Sequence, residues 1–170
     1  YVESHAGAPA PERAVTVLAV GDSEDDHGWL VKILRRSRWK MLSARSCREA
    51  FEVLQTNRIP VVVCECALPD GSWKSLLNRF AQSSEEPLLV VTSRHADDRL
   101  WAEVLNLGGY DVLSKPFDQA EVVRVIGAAW LHWRRRGMAR VACRAEMVRG
   151  NPGQKTGNSP SIPPRDLPLG

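Results

Sequence analysis

The sequence predicts an α/β fold in which a doubly wound, five-stranded parallel sheet carries helices on both faces. Two observations support this prediction. Five short apolar runs rich in β-branched residues are each followed by a segment whose apolar residues have helical spacing. The runs are continuously apolar, as is typical of parallel strands that are covered on both faces. Such alternation implies right-handed crossover connections, and a chain of 170 residues is long enough for one domain of this kind.

The first two strand–helix pairs lie in the N-terminal part of the chain. The run VTVLAV, residues 15–20, predicts the first strand, and KMLSA, residues 40–44, predicts the second. Ser23 is a candidate N-cap for the first helix, and the acids at 24–26 are interpreted as partners of its dipole. Ser46 and Glu49 have capping-box spacing, which predicts where the second helix begins.

The remaining strands follow the same alternation. VVVCE, residues 61–65, predicts the third strand, and a turn is expected at Pro69 and Gly71 before a short helix. PLLVVT, residues 87–92, predicts the fourth strand, and YDVLS, residues 110–114, predicts the fifth. Asp118 and Glu121 have the spacing of an N-cap and an N3 acid, so a last helix is expected to begin there.

Composition divides the chain into four segments. Residues 1–13 predict a flexible leader, and residues 14–133 hold the strand–helix alternation. Residues 134–149 are a basic extension of the last helix, and residues 150–170 have the Pro- and Gly-rich composition of a disordered tail. The four cysteines lack framework spacing, and neither a signal segment nor a membrane span is visible, so we expect a cytoplasmic protein.

Four polar side chains lie at or just past the carboxyl ends of different predicted strands: Asp22, Glu65, Thr92 and Lys115. In a doubly wound parallel sheet the working site lies outside these strand ends. We therefore expect the four side chains to converge on one pocket.

In this order the motifs resemble a response-regulator receiver domain, the phosphoryl-accepting module of two-component signalling. The resemblance covers about residues 14–133 and is carried by GDSEDD, ECALPDG, PLLVVT and LSKPFD. It implies a flavodoxin-like fold. It also implies that Glu65 stands at the phosphoacceptor position, with Thr92, Val112 and Lys115 at the switch and phosphoryl-binding positions. The implied Mg²⁺ site consists of Asp22, Glu65 and the backbone carbonyl around Ala67.

Three residues depart from the pattern of the family. Gly21 stands where receivers usually have the first of two adjacent acids, and Glu65 replaces the usual aspartate. Val112 replaces the usual aromatic partner of the switch threonine; Tyr110 lies two residues earlier, which on a strand is the same face but about 7 Å along the axis. With one acid missing, we expect Mg²⁺ binding to be weak at most.

These departures predict a stand-alone, degenerate receiver, a pseudo-receiver, that is not an enzyme and acts as a phosphorylation-independent protein-interaction module in a phosphorelay. Glu65 would imitate the phosphorylated state next to Lys115, or else be a salt-bridge partner in a pocket that has drifted. The expected partner is a sensor histidine kinase or another signalling protein. Two alternatives are a working phosphoacceptor and a basic nucleic-acid-binding adaptor that uses residues 134–149.

The last helix has a further pattern beyond the expected end of a receiver. Six arginines crowd residues 134–149 against one acid, with apolar residues at Met138, Val141, Ala145 and Val148. The segment could be a solvated basic helix, a docking or homodimer seam, or a contact for nucleic acid. We favour the seam over nucleic acid, and no membrane contact is expected.

Overall fold

The computed structural model describes residues 15–37, 39–82 and 86–149, with side chains up to residue 144. The predicted leader, residues 1–13, and the predicted tail, residues 150–170, lie outside the described residues. The chain divides into two compact units, Tyr1–Gly137 and Met138–Gly170.

Five parallel strands form the sheet of the first unit, in the order β2-β1-β3-β6-β7, and two short strands form a separate antiparallel hairpin. In chain order the elements are β1 (Thr16–Val20), α1 (Glu24–Arg36), β2 (Lys40–Ala44), α2 (Cys47–Thr56), β3 (Val61–Glu65), β4 (Ala67–Leu68), β5 (Gly71–Ser72), α3 (Trp73–Phe80), β6 (Leu88–Ser93), α4 (Asp98–Asn106), β7 (Asp111–Ser114) and α5 (Gln119–Arg149). The predicted fold class is confirmed.

The strands are apolar because both faces of the sheet are covered. Successive residues of a strand point to opposite faces, so Val62 and Cys64 lie in one core layer, and Val61 and Val63 lie in the other. The first layer packs against α2, α3 and α4, and the second packs against α1 and α5. Apolar side chains thus fill both faces, and the polar groups of the site lie at the carboxyl edge of the sheet.

Three helices begin at the predicted caps. Ser23, Ser46 and Asp118 each accept a hydrogen bond from the backbone N–H three residues later, at 3.3, 3.2 and 2.8 Å. The predicted capping box differs in one respect, because Glu49 accepts from the backbone N–H of Arg45 rather than from that of Ser46. These caps fix where each chain segment leaves the carboxyl edge of the sheet.

The turn after β3 is tied to the start of α2. Asp70 lies between β4 and β5, and its two carboxylate oxygens accept hydrogen bonds from the backbone N–H groups of Cys47 and Arg48, at 2.7 and 3.0 Å. Hydrogen bonds from these backbone groups hold the pKa of Asp70 below its usual value. The contact links two of the loops at the carboxyl edge.

The last helix runs to Arg149, close to its predicted end near Val148. Its residues from Met138 onward belong to the second compact unit. Among the described residues, no helix combines the length and the apolar character that crossing a membrane requires.

Candidate functional site

The carboxyl edge of the sheet brings together residues from β1, β3 and the edge strand β7. Gly21 directly follows β1, Glu65 is the last residue of β3, and Lys115 directly follows β7. Glu65 lies opposite Thr92 in the parallel register of β3 and β6. The peptide bond between Lys115 and Pro116 is cis.

Lys115 lies between two carboxylates. Its Nζ is 2.6 Å from Oε1 of Glu65 and 2.5 Å from Oδ2 of Asp26, in the first turn of α1. The side chains are 10% exposed for Lys115, 18% for Glu65 and 19% for Asp26, so the cluster is largely screened from solvent. Charge-assisted hydrogen bonds of this kind are stronger than neutral ones, particularly where water is excluded.

Burial and charge act in opposite directions on these groups. Burial lowers the pKa of Lys115, but its hydrogen bonds to Asp26 and Glu65 outweigh this effect, and the net pKa lies above the ordinary value. Burial raises the pKa of Asp26, and the hydrogen bond and positive charge of Lys115 outweigh it, so the net pKa lies below the ordinary value. Both pKa shifts favour the ionised forms of Lys115 and Asp26, because each charge is stabilised by an opposite charge beside it.

The cluster leaves little free space inside the pocket. The cavity bordered by Gly21, Asp26, Glu65, Thr92 and Lys115 has a volume of about 10 Å³. A cavity needs roughly 10–15 Å³ to hold one water molecule. In this arrangement the pocket is therefore filled by its own side chains.

Three of the four side chains expected to converge do so, and one does not. Glu65, Thr92 and Lys115 line the cavity, whereas Asp22 is exposed and is not among the lining residues. Ala67, whose carbonyl was a candidate metal ligand, lies in β4 with its side chain exposed. From the same acidic segment, it is Asp26 that contacts Lys115.

The hydroxyl of Thr92 is turned into the sheet. Thr92 is buried, and its Oγ1 donates to the backbone carbonyl of Cys64, at 3.4 Å. Among the described residues, this hydroxyl forms no hydrogen bond with Glu65. Thr92 therefore borders the cavity without pairing with the charged cluster.

Val112 and Tyr110 lie in different layers, which corrects one expectation. Val112 is buried in β7 within the layer that packs on α2 and α3. Tyr110 precedes β7 and packs in the opposite layer, where the centroid of its ring lies 5.7 Å from that of the His132 ring in an edge-to-face arrangement. The argument that a shift of two residues keeps the same face fails because Tyr110 is not part of the strand.

Sequence reasoning missed the role of Asp26. It interpreted the three acids at the start of α1 only as partners of the helix dipole, whereas the third of them reaches Lys115. His27, the next residue, is partly buried, and its Nε2 has no hydrogen-bonding partner among the described residues. Burial lowers the pKa of His27, although the charge of Glu65 opposes this effect. A neutral imidazole therefore borders the same cavity.

The described residues do not fit a Mg²⁺ ion. Among them, no group of three His, Cys, Asp or Glu side chains is placed to hold a metal. Mg²⁺ requires near-octahedral oxygen ligands, but Gly21 offers no side chain, and the carboxylates of Asp26 and Glu65 already pair with Lys115.

Comparisons with known proteins agree with the fold. The family model described as response regulator receiver domain matches residues 17–127. The rice protein "Two-component response regulator ORR6" (Oryza sativa subsp. japonica) is 30% identical over 115 residues, which cover 64% of this chain and 67% of that protein. "Two-component response regulator ORR3" (Oryza sativa subsp. indica) is 29% identical over 119 residues, covering 68% of this chain and 90% of that protein.

Two solved structures have the same fold. The signal receiver domain of an HD domain-containing protein from Pseudomonas fluorescens Pf-5 superposes with a TM-score of 0.69 at 23% identity, covering 77% of this chain and 97% of that one. The beryllofluoride-activated NtrC4 receiver domain dimer gives a TM-score of 0.64 at 24% identity, covering 69% and 98%. The strand order, the edge that collects the charged residues and the matched family model lead to one conclusion: the chain belongs to the response regulator receiver domain family.

Proposed function

We propose that this chain is a receiver domain that works without phosphorylation, as a protein-interaction module in two-component signalling. One observation carries the proposal: Glu65, at the phosphoacceptor position, places its Oε1 2.6 Å from Nζ of Lys115. A receiver uses its lysine and threonine to bind the transferred phosphoryl group. Here the lysine already has an anionic partner within its own chain.

The chemistry of phosphotransfer also supports the proposal. Transfer to a carboxylate needs in-line placement of the nucleophile and neutralisation of charge on the phosphoryl oxygens, which in receivers Mg²⁺ supplies. Glu65 is one methylene longer than aspartate, which displaces its oxygen by about 1 Å, and such a displacement costs on the order of 100-fold in rate. Its carboxylate is also hydrogen-bonded to Lys115 and faces a cavity of only about 10 Å³.

The switch positions favour a fixed state. Thr92 donates its hydroxyl to Cys64, and Val112 is buried and only 7% exposed. No aromatic ring stands at position 112 to move with the threonine. The arrangement around Glu65 and Lys115 therefore does not depend on a switch of the usual kind.

A groove beside the charged cluster is suited to a protein partner. It has a volume of about 440 Å³ and is lined by Asp25, Asp26, Trp29, Arg94, Lys115, Pro116 and Phe117. Trp29, one of the residues that line this groove, is 57% exposed. Exposed aromatic residues beside charged groups are typical of protein interfaces. The partner class we propose is a sensor histidine kinase or another signalling protein.

The last helix offers a second surface, for a second copy of the chain. Met138 and Val141 are 67% and 71% exposed on α5, and they lie three residues apart on one side of the helix. The NtrC4 receiver domain that this chain resembles is described as a dimer. We favour this seam over nucleic acid because apolar residues are interleaved with the arginines.

Intact mass spectrometry after incubation with acetyl phosphate and Mg²⁺ tests the proposal. The unmodified chain should gain no phosphoryl adduct, because the nucleophile is displaced and already paired. The double variant Gly21→Asp/Glu65→Asp restores both acids of the family pattern and should recover some labelling. A stoichiometric adduct mapped to Glu65 in the unmodified chain would instead establish the alternative, a working phosphoacceptor.

A further inference from the structure

Gly21 and Glu65 occupy one space. A Cβ atom built on Gly21 would lie 2.7 Å from both Cγ and Cδ of Glu65 and 3.1 Å from its Oε1. Carbon atoms in contact are normally about 3.5–4.0 Å apart. The side chain of Glu65 therefore fills the volume that any side chain at position 21 would need.

The backbone does not require glycine at this position. Among the described glycines, a positive φ occurs at Gly108 and not at Gly21. Gly21 donates its N–H to the carbonyl of Ala44, at 3.0 Å, in continuation of the pairing between β1 and β2. An ordinary residue could adopt this backbone, so the need for glycine arises from space alone.

Glu65 cannot easily move away from Gly21. Its Oε1 is held by Lys115, and the side chain is only 18% exposed. A rotation that made room for a Cβ at position 21 would separate the carboxylate of Glu65 from Lys115, which would keep Asp26 as its partner, and would leave the Glu65 carboxylate partly buried without a cation. Leaving a buried charge without its partner is strongly unfavourable.

Lys115 stands where a cation is needed. Its ammonium contacts Asp26 and Glu65, the two carboxylates that would otherwise face each other in the pocket. A divalent ion placed between them would meet the positive charge of Lys115 at short range.

We propose that Lys115 is the resident cation of this pocket, and that Gly21 makes the room in which Glu65 reaches it. The two departures from the family pattern, Gly21 and Glu65, then depend on each other and are not two separate losses. We call this mutual dependence the interlock. The absence of a side chain at position 21 lets the longer acid lie against Gly21, and the lysine replaces the metal ion. This inference rests on the proposed function and adds the residue that makes the arrangement possible.

A double-mutant cycle in urea tests the interlock. Gly21→Ala should lower the urea midpoint of the chain, because the new Cβ collides with Glu65. In the Glu65→Ala background, which removes Cγ and Cδ, the same substitution should cost little or nothing. Gly28→Ala is the matched control, since a Cβ at that glycine of α1 meets no atom within 4 Å. That control should be neutral or stabilising.

The outcomes of the cycle are distinct. If Gly21→Ala fails to fold while the double variant Gly21→Ala/Glu65→Ala folds, the interlock is supported in its strongest form. Equal losses in the two backgrounds, or a Gly21→Ala variant as stable as Gly28→Ala, would overturn it. None of these results depends on phosphorylation, so the interlock and the proposed function can fail separately.

Thermal unfolding with and without millimolar Mg²⁺ tests the role of Lys115. Lys115→Gln leaves two carboxylates facing each other, so Mg²⁺ should raise the melting temperature of this variant but not that of the unmodified chain. Lys74→Gln is the control, since Lys74 forms an exposed ion pair with Glu103 and its loss should create no Mg²⁺ response. An equal rise in the unmodified chain, or no rise in Lys115→Gln, would contradict the inference.

Discussion

Lys115 holds two carboxylates that come from distant parts of the chain, Asp26 from α1 and Glu65 from β3. The three charges sum to one negative charge, so the pocket remains slightly anionic with the lysine in place. Each carboxylate alone gives the ammonium a partner. The loss of either acid should therefore cost less than the loss of the lysine, which would leave two like charges close together.

The first prediction concerns Asp26 and pH. Asp26→Asn should lower the free energy of unfolding at neutral pH by about 1–2 kcal/mol, since one charge-assisted hydrogen bond is lost while Glu65 still pairs with Lys115. The pKa of Asp26 is lowered from its ordinary value of 3.8 in the folded chain. Its contribution to stability is therefore complete above that value and is lost as the pH falls through the lower, folded-state pKa.

Urea unfolding over a series of pH values checks this prediction. The difference between the unmodified chain and Asp26→Asn should be full at neutral pH and should shrink in strong acid. Asp25→Asn is the control, because Asp25 is the exposed neighbour in the same helical turn. An equal effect of the two substitutions would show that Asp26 acts only through the helix dipole. A difference that does not change with pH would show that the charge of Asp26 plays no part in stability.

Among the elements, α5 is buried against the sheet in its first part and exposed farther along. Its first part carries Val122, Val125, Ile126 and Ala129 into the core layer beside the sheet. Farther along, apolar residues such as Leu131, Met138 and Val141 are exposed. Apolar side chains at helical spacing on an exposed surface favour association with another helix.

The second prediction concerns this exposed part of α5. If it is a homodimer seam, the chain should be a dimer in light scattering, and Met138→Asp/Val141→Asp should convert it to a monomer because two charges would be buried. Ala139→Asp places one charge on another face of the same helix and should leave the dimer intact. Circular dichroism would verify that the variants keep their helical content.

Two results would count against the seam. A monomeric unmodified chain at high protein concentration would do so directly. Binding to duplex DNA that weakens steeply with salt, and that disappears when residues 134–170 are removed, would instead assign the arginines to phosphate contacts.

Sequence predicted the elements well because their signals are local. The β-branched runs, the caps at Ser23, Ser46 and Asp118, and the length of α5 each depend on residues close together in the chain. The role of Tyr110 was mistaken because β7 begins one residue later than expected, at Asp111. A shift of one residue at the end of a strand is enough to change the layer in which a side chain packs.

The site was predicted only in part, since its contacts are distant in sequence. Glu65, Thr92 and Lys115 follow strands, and the rule for parallel sheets brings them to one edge. The pair between Asp26 and Lys115 spans 89 residues, and nothing local distinguishes Asp26 from its acidic neighbours. The close approach of Gly21 and Glu65 likewise depends on how much space their side chains fill in the folded chain. The order of residue types along the sequence does not reveal this.

In the molecule as a whole, we propose that the pocket adopts the arrangement it uses in signalling with neither a phosphoryl group nor a metal ion bound. In a receiver that is switched by phosphorylation, occupation of the pocket changes the surroundings of the threonine, of the residue at the aromatic position and of the lysine. In this chain Glu65 already supplies the anion and Lys115 the cation. The pocket should therefore be insensitive to the reagents that activate such receivers.

Amide NMR spectra recorded before and after the addition of acetyl phosphate and Mg²⁺ test this claim most directly. The predicted result is that the resonances of Glu65, Thr92, Val112 and Lys115 keep their positions, while the same resonances shift in the control variant Gly21→Asp/Glu65→Asp. Shifts at these residues in the unmodified chain, at the same reagent concentrations, would contradict the claim.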